Sequence, residues 1–370
     1  MNSVFVLLVF TLFIGNATAQ SNQQLINWFA GADIVGTANS ESELASDAIV
    51  REFEISANSN IDHIWEGTLT LSKHQEPGQT EDSPAEVHEA FVFSNSIIEQ
   101  GHLKLGKFFL GVGRINRFHR HDWAFTNAPY YHEQFFGTEG VKDTGVEYSK
   151  LLSTERYINL TLGLTNGREF VHSHEHDHEE GEEHEEMGNP HVPTHYARLS
   201  SFKEFSTTEG FEYGVNYIGR TDSEGTSFSY KGLDFIFKNR VGKYVDTLTQ
   251  AELWQRTTTG EGETTNDLGA YIYFEKGMDQ NHSYGFRLDY YRPDSEEHDE
   301  EEEEHHHGIE IDDELFTAGF SYIYTNSEFL KTRFTVSRSE GYLVDDKEVG
   351  NTKASLQLVF SIGAHPAHLY

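Results

Sequence analysis

The chain has 370 residues, with 61 acids against 27 bases, 21 histidines, no cysteine and a net charge of −34 at pH 7. That balance leaves no basic surface to release counterions, which excludes nucleic acid as a partner and favours cationic ligands. Without cysteine there are no disulfides, so a large closed hydrogen-bonded sheet is the expected means of holding an exported chain of this size together.

The first element is an apolar run, Val4–Ile14, broken only by Thr11 and followed by Ala17-Thr18-Ala19. This is the pattern of a secretory signal peptide over 1–19, although no Lys or Arg precedes the run. The mature part is then 20–370. No later stretch reaches 18 consecutive apolar residues, so no transmembrane helix is expected; a membrane β-barrel stays open.

From there the chain reads as strands of period two, with one apolar and one polar face. Arg51, Phe53, Ile55 and Ala57 alternate with Glu52, Glu54 and Ser56. The same alternation recurs over 158–164, 211–217, 284–290 and 316–324. Further strands are expected near 28–38, 63–72, 86–94, 102–110, 144–151, 197–205, 228–238, 243–256, 267–275, 328–338 and 353–363. The fold class is therefore all-β: a single transmembrane antiparallel β-barrel of about 14–16 strands, with long acidic His-rich loops near 171–195 and 295–312. Mixed charges on the polar face (Glu52, Lys104, Arg287, Arg333) belong in a wet lumen. Aromatics near strand ends (Trp28, Phe29, Trp65, Tyr130, Tyr131, Trp254, Tyr290, Tyr291) are expected in interfacial girdles.

The segment 103–146 contains G-K-F (Gly106–Phe108), then G-x-G-x-x-N-x-x-H-x-H-x-W from Gly111 to Trp123, Pro129-Tyr130, and D-T-G-V (Asp143–Val146). With Val50–Leu69 upstream and S-I-G-A-H-P-A-H at the C-terminal end, it resembles a bacterial family of porin-like outer-membrane barrels with His- and acid-rich loops. That family is often labelled zinc-regulated or TonB-dependent. The resemblance implies an outer-membrane barrel of a Gram-negative cell and metal handling. A TonB-dependent receptor resembles a 22-stranded barrel with a plug of over a hundred residues. At about 20 residues per strand, that barrel alone exceeds this chain. The expectation is a plugless porin-like barrel, or one plugged by its own inward loops. Within this segment Arg114, Arg117, His119, His121 and Asp122 are candidates for a lumen constriction. A structural loop whose histidines bond the barrel wall explains them equally well.

Two tracts follow. Val171–Glu186 holds His172, His174, His176, His178 and His184 among eight carboxylates, with His191 and His195 just beyond. Glu296–His307 holds His298, His305, His306 and His307 among another eight. No core could bury such charge. Imidazole and carboxylate without thiolate suit a loosely held Zn2+, with Ni2+ and Cu2+ as competitors. A solvated acidic surface loop is the plainer reading. His174-Glu175-His176-Asp177-His178 matches H-E-x-x-H, but a run this rich in His and acid produces that spacing by chance, and no catalytic triad can be singled out, so an enzyme is not expected. The expected partners are outer-membrane lipid, divalent metal and small solutes, with homo-oligomers left open. A non-conducting metal-sequestering barrel or adhesin and a soluble secreted metal-binding β protein are the alternatives. At the C-terminus Leu356, Leu358, Phe360 and Ile362 alternate and Tyr370 keeps the parity, a pattern like that of outer-membrane barrels, interrupted by Pro366.

Overall fold

The computed structural model describes residues 25–41, 44, 46–78, 84–168, 192–222, 225–241, 244–260, 262–294, 310–344 and 347–363. The expected signal peptide, both His-rich tracts, His191 and residues 364–370 lie outside them.

The described residues form sixteen strands: β1 (Asn27–Asn39), β2 (Ala48–Asn60), β3 (Glu66–His74), β4 (Glu86–Ser94), β5 (Gly101–Phe109), β6 (Lys142–Ser153), β7 (Ile158–Thr165), β8 (Val192–Glu204), β9 (Glu209–Thr221), β10 (Ser227–Val241), β11 (Tyr244–Gly260), β12 (Glu263–Gly277), β13 (His282–Arg292), β14 (Glu310–Ser327), β15 (Leu330–Val344) and β16 (Lys347–Ile362). Each pairs antiparallel with the next. β1 closes on β16, with Ala32 opposite Phe360, so the barrel leaves no unpaired sheet edge.

The alternation read from the sequence sorts side chains between two solvents. Leu69, Leu71, Val215, Phe286, Phe320 and Leu356 point outward and are exposed. Glu147, Asn216, Asp234, Arg333 and Gln357 point inward and are buried. Apolar outside and charged inside inverts the order of a water-soluble fold and suits a barrel in lipid.

Among the register shifts of the described strands, two re-aim side chains towards the β5–β6 connection. Asp33 faces Glu52 while Ile34 faces Val50, so Arg51 is an extra residue in β2. Thr70 faces Glu89 while Leu71 faces Val87, so His88 is an extra residue in β4. A bulge re-aims a side chain. Here it turns Arg51 inward beside Glu52, and His88 inward beside Glu89. Arg51, grouped by simple parity with the apolar face of β2, instead bonds the buried Asp33 carboxylate (Nε to Oδ2 3.1 Å).

Of the aromatics expected in girdles, Trp28 is exposed, whereas Tyr130, on the helix of the β5–β6 connection and packed against Tyr291, and four others lie inside the barrel. Phe29, Tyr131, Trp254 and Tyr291 are 5% exposed or less and lie inside the barrel. They are drawn in because the β5–β6 connection brings apolar chain into the lumen and gives them something dry to pack on.

In a meander barrel every odd-to-even connection lies at one rim. The strand ends flanking the two tracts, Thr165 with Val192 and Arg292 with Glu310, therefore share the rim of Phe109 and Lys142. The opposite rim carries short turns, such as 61–65 and 154–157.

Candidate functional site: a loop folded across the lumen

Residues 110–141 leave β5 and fold into the barrel. Asn116 fastens the neck of this loop. Its Nδ2 donates to Leu110 O (2.9 Å) and Val141 O (3.3 Å), and its Oδ1 accepts from Val141 N (2.7 Å). Trp123 Nε1 donates to Ile115 O and Phe118 O, both at 3.1 Å, closing a second turn. Gly113 has φ +63°, and a Cβ there would stand 2.7 Å from Glu252 Oε2. A Cβ on Gly111 would collide with the Glu147 carboxylate. These four residues are the G, G, N and W of the motif, and each position has a steric or hydrogen-bonding reason. A short helix, α1 (Tyr130–Phe136), completes the loop.

One flank of the loop is apolar. Leu110, Val112, Ile115, Phe125, Phe135 and Phe136 pack against Tyr230, Trp254, Tyr271 and Tyr273 of the wall. Backbone donors are satisfied on the same side, Gly113 N by Asn216 Oδ1 (2.9 Å) and Ile115 N by Glu252 Oε1 (2.9 Å). The other flank is charged and meets β2–β4. Arg120 Nη2 bonds Glu76 Oε1 (2.6 Å), and Arg51 Nη1 bonds Asn127 Oδ1 (3.2 Å). Arg333 Nη2 reaches Trp123 O from β15 (3.2 Å). Bonded to opposite walls, the loop crosses the lumen. Below it, towards the short-turn rim, lies a cavity of about 770 Å³ lined by Glu89, Lys104, Arg117, His119, Glu147 and Arg198 among others.

The expected constriction residues are all on this loop, but they divide between its flanks. Arg117 faces β8–β9, 3.4 Å from Glu212, and Arg114 lies over the Phe118 ring at 4.7 Å. His119 and His121 face β2–β4. His119 Nδ1 is 2.8 Å from Glu54 Oε2 and its Nε2 is 3.1 Å from Glu89 Oε2. His121 Nδ1 is 3.5 Å from Glu52 Oε2, and Asp122 lies beyond its Nε2 at 3.9 Å. Burial works against charge on both imidazoles. Glu54 and Glu89 outweigh it at His119, which titrates well above its ordinary value. Asp122 and Glu52 outweigh it at His121, which is pushed up to about 9. Burial acts almost alone on His132, set among Trp123, Tyr131 and Phe136, and pushes it down to about 3.

Rings continue the contact along the wall. His119 stacks on His121 (5.5 Å) and on His88 (6.2 Å), and His88 lies 5.9 Å from His74. Two groups of donors result, Glu52, Glu54, His88 and His119, and His74, Glu86, His88 and Glu139. In each, the donor atoms lie within 4.8 Å of one another. Sequence reading gave no role to His74, His88, Glu86 or Glu139. The available signal was a charged residue breaking an apolar alternation, which marks a bulge. Of the histidines expected to hold metal at the surface, only His195 is among the described residues. It points outward from β8, its ring 5.8 Å from that of Tyr217, away from the lumen histidines.

No family model matches the chain. It is 23% identical over 310 residues to an uncharacterized protein of Aquifex aeolicus, covering 76% of this chain and 63% of that one, so it spans less than two thirds of that relative. Solved structures similar to it include an anion-selective porin from Comamonas acidovorans (TM-score 0.59, 9% identity, 92% of this chain and 100% of that one). The outer membrane channel DcaP of Acinetobacter baumannii is similar at TM-score 0.58, 9% identity, 94% and 100%. OprB of Pseudomonas putida is similar at 0.60, 9%, 91% and 94%. The zinc-regulated, TonB-dependent part of the resemblance finds no support among these matches. At this level of identity they establish the fold: a porin-like, sixteen-stranded β-barrel.

Proposed function

We propose that this chain is an outer-membrane channel for small solutes, exported by the segment 1–19. Its acidic His-rich tracts capture divalent metal, zinc foremost, at the cell surface. The observation that carries the channel reading is the barrel itself: lipid-compatible outside, charged inside, with a polar cavity under a loop that narrows the passage. Sixteen-stranded barrels have room for an aqueous path. The porins and channels among the similar structures support this reading. A further similar structure, OmpT, an outer membrane protein of Vibrio cholerae (TM-score 0.56, 8% identity), is described as a trimer form, which keeps homo-oligomers within the proposal. Metal capture is supported by the donor chemistry of the tracts and by the shared rim of their flanking strands. Arg114, Arg117, His119, His121 and Asp122 set the constriction, and the excess of carboxylates favours cations.

The test is a planar-bilayer recording on refolded protein. Cation-favouring steps that micromolar zinc perturbs, and that become insensitive when both tracts are removed, support it. A zinc stoichiometry and a zinc sensitivity both undiminished by tract removal refute the capture half. A second reading rests on the apolar flank of the loop. Packed as tightly as a protein core, it would keep the barrel closed until a partner or ligand unseats it. Inserted, folded protein that shows no steps would favour that reading.

A further inference from the structure

We infer that the lumen holds a built site for a divalent transition-metal ion, where His74, Glu86 and His88 of the wall meet Glu139 of the loop, and that Glu52, Glu54 and His119 extend it inward through the shared His88. This site is separate from the surface tracts. Its geometry suits a metal. His74 Nδ1 is 3.2 Å from Glu86 Oε1 and 3.5 Å from Glu139 Oε1. His88 Nε2 is 3.3 Å from Glu86 Oε1 and 3.1 Å from Glu139 Oε2. A tetrahedron with zinc–ligand bonds of about 2.0–2.1 Å has edges of roughly 3.3 Å. Three of these spacings join His74 Nδ1, Glu86 Oε1, His88 Nε2 and Glu139 Oε2 at close to that edge; the fourth uses the other Glu139 oxygen, so the Glu139 carboxylate turns to present one oxygen to an ion at the centre.

Burial separates this set from an ordinary acidic surface. His88 is 1% exposed, and its Nε2, with His74 Nδ1 and Glu139 Oε1, is buried without an aligned hydrogen bond. A buried imidazole nitrogen without such a bond costs free energy that a ligand or water would recover. Lys142 Nζ lies 2.8 Å from Glu139 Oε2 and 3.6 Å from Glu86 Oε1, so an ion entering the set must displace this ammonium. His74 and Glu86 are partly open to the rim that the tracts flank, whereas the inner set is fully buried. An ion therefore meets the outer set first. The loop end and the wall are both ligands, so an ion here also fastens the loop. Two nitrogens and two oxygens favour Zn2+, Ni2+ or Cu2+ over Ca2+ and Mg2+, which prefer all-oxygen sites.

The test uses the full chain in detergent with both tracts replaced by Gly/Ser linkers, titrated at pH 7.5 with zinc against a chromophoric chelator, then with Co2+. Heat-modifiable gel mobility confirms folding of every variant. The site predicts at least one zinc per chain retained through desalting, and Co2+ absorption of four-coordinate character. Glu86→Gln, at a partly exposed position that should fold normally, weakens binding at least tenfold, and His88→Asn abolishes it. Folded tract-free protein that retains no zinc overturns the inference. So does a folded Glu86→Gln and His88→Asn pair that binds as tightly as the parent. Zinc bound only when the tracts are present would leave the surface-capture proposal standing and this one refuted.

Discussion

Asn116→Ala should release the loop while sparing the barrel. The amide makes three hydrogen bonds at the loop neck, to Leu110 O, Val141 O and Val141 N, and is 1% exposed. Each is worth about 1 kcal/mol net, and the partners it leaves are buried, so the expected cost is about 3 kcal/mol. That is roughly a 150-fold shift towards the unseated loop. The sixteen-strand ladder does not involve this side chain, so heat-modifiable mobility should stay unchanged. Amide exchange should rise at Gly113, Ile115 and Val141, whose N–H groups are held by wall or neck acceptors. Single-channel records should show larger and noisier steps. Unchanged exchange at those three amides, in a protein that folds, would refute the claim that Asn116 fastens the loop.

Other outcomes follow from the same geometry. Gly113→Ala must place a Cβ 2.7 Å from Glu252 Oε2 at φ +63°. It should cost the seated loop about 1–3 kcal/mol, read as faster proteolysis within 110–141. His132 has a folded value lowered to about 3, so its contribution is complete above its ordinary value near 6.5 and is lost as pH falls towards 3. His132→Phe should remove that slope, and its advantage over the parent in loop protection should grow by about 1.4 kcal/mol per pH unit below 6.5. Leu199→Arg puts a charge on the lipid face and should cost about 2–4 kcal/mol of insertion if near the midplane. Ser200→Arg, the next residue but facing the cavity, should insert normally. Equal insertion defects would contradict the assignment of the two faces.

The strands were legible because their faces meet different solvents: Phe211, Tyr213 and Val215 against Glu212 and Asn216 can be read without knowing any neighbour. All sixteen expected segments became strands. The loop was only half legible. Gly111, Gly113, Asn116 and Trp123 stood out as a motif, yet their reasons lie in Glu147, Glu252, Leu110 and Val141, contacts that exist only after folding. The bulge at His88 hid one wall member of the proposed metal site, and the bulge at Arg51 hid its pairing with Asp33, because a period of two sends such residues to the wrong face. Trp254 and Tyr291 were assigned to the membrane interface for a similar reason. Their alternation is correct, but an apolar lumen wall is not foreseeable until a loop is known to cover it.

The central claim is that the passage through this barrel is set by the loop over 110–141. The most direct test is conductance of the refolded chain before and after residues 112–139 are replaced by a short Gly/Ser linker. The account predicts small, cation-favouring steps that become several-fold larger and less selective without the loop. Equal conductance and equal selectivity in both, from protein shown to be folded and inserted, would contradict it.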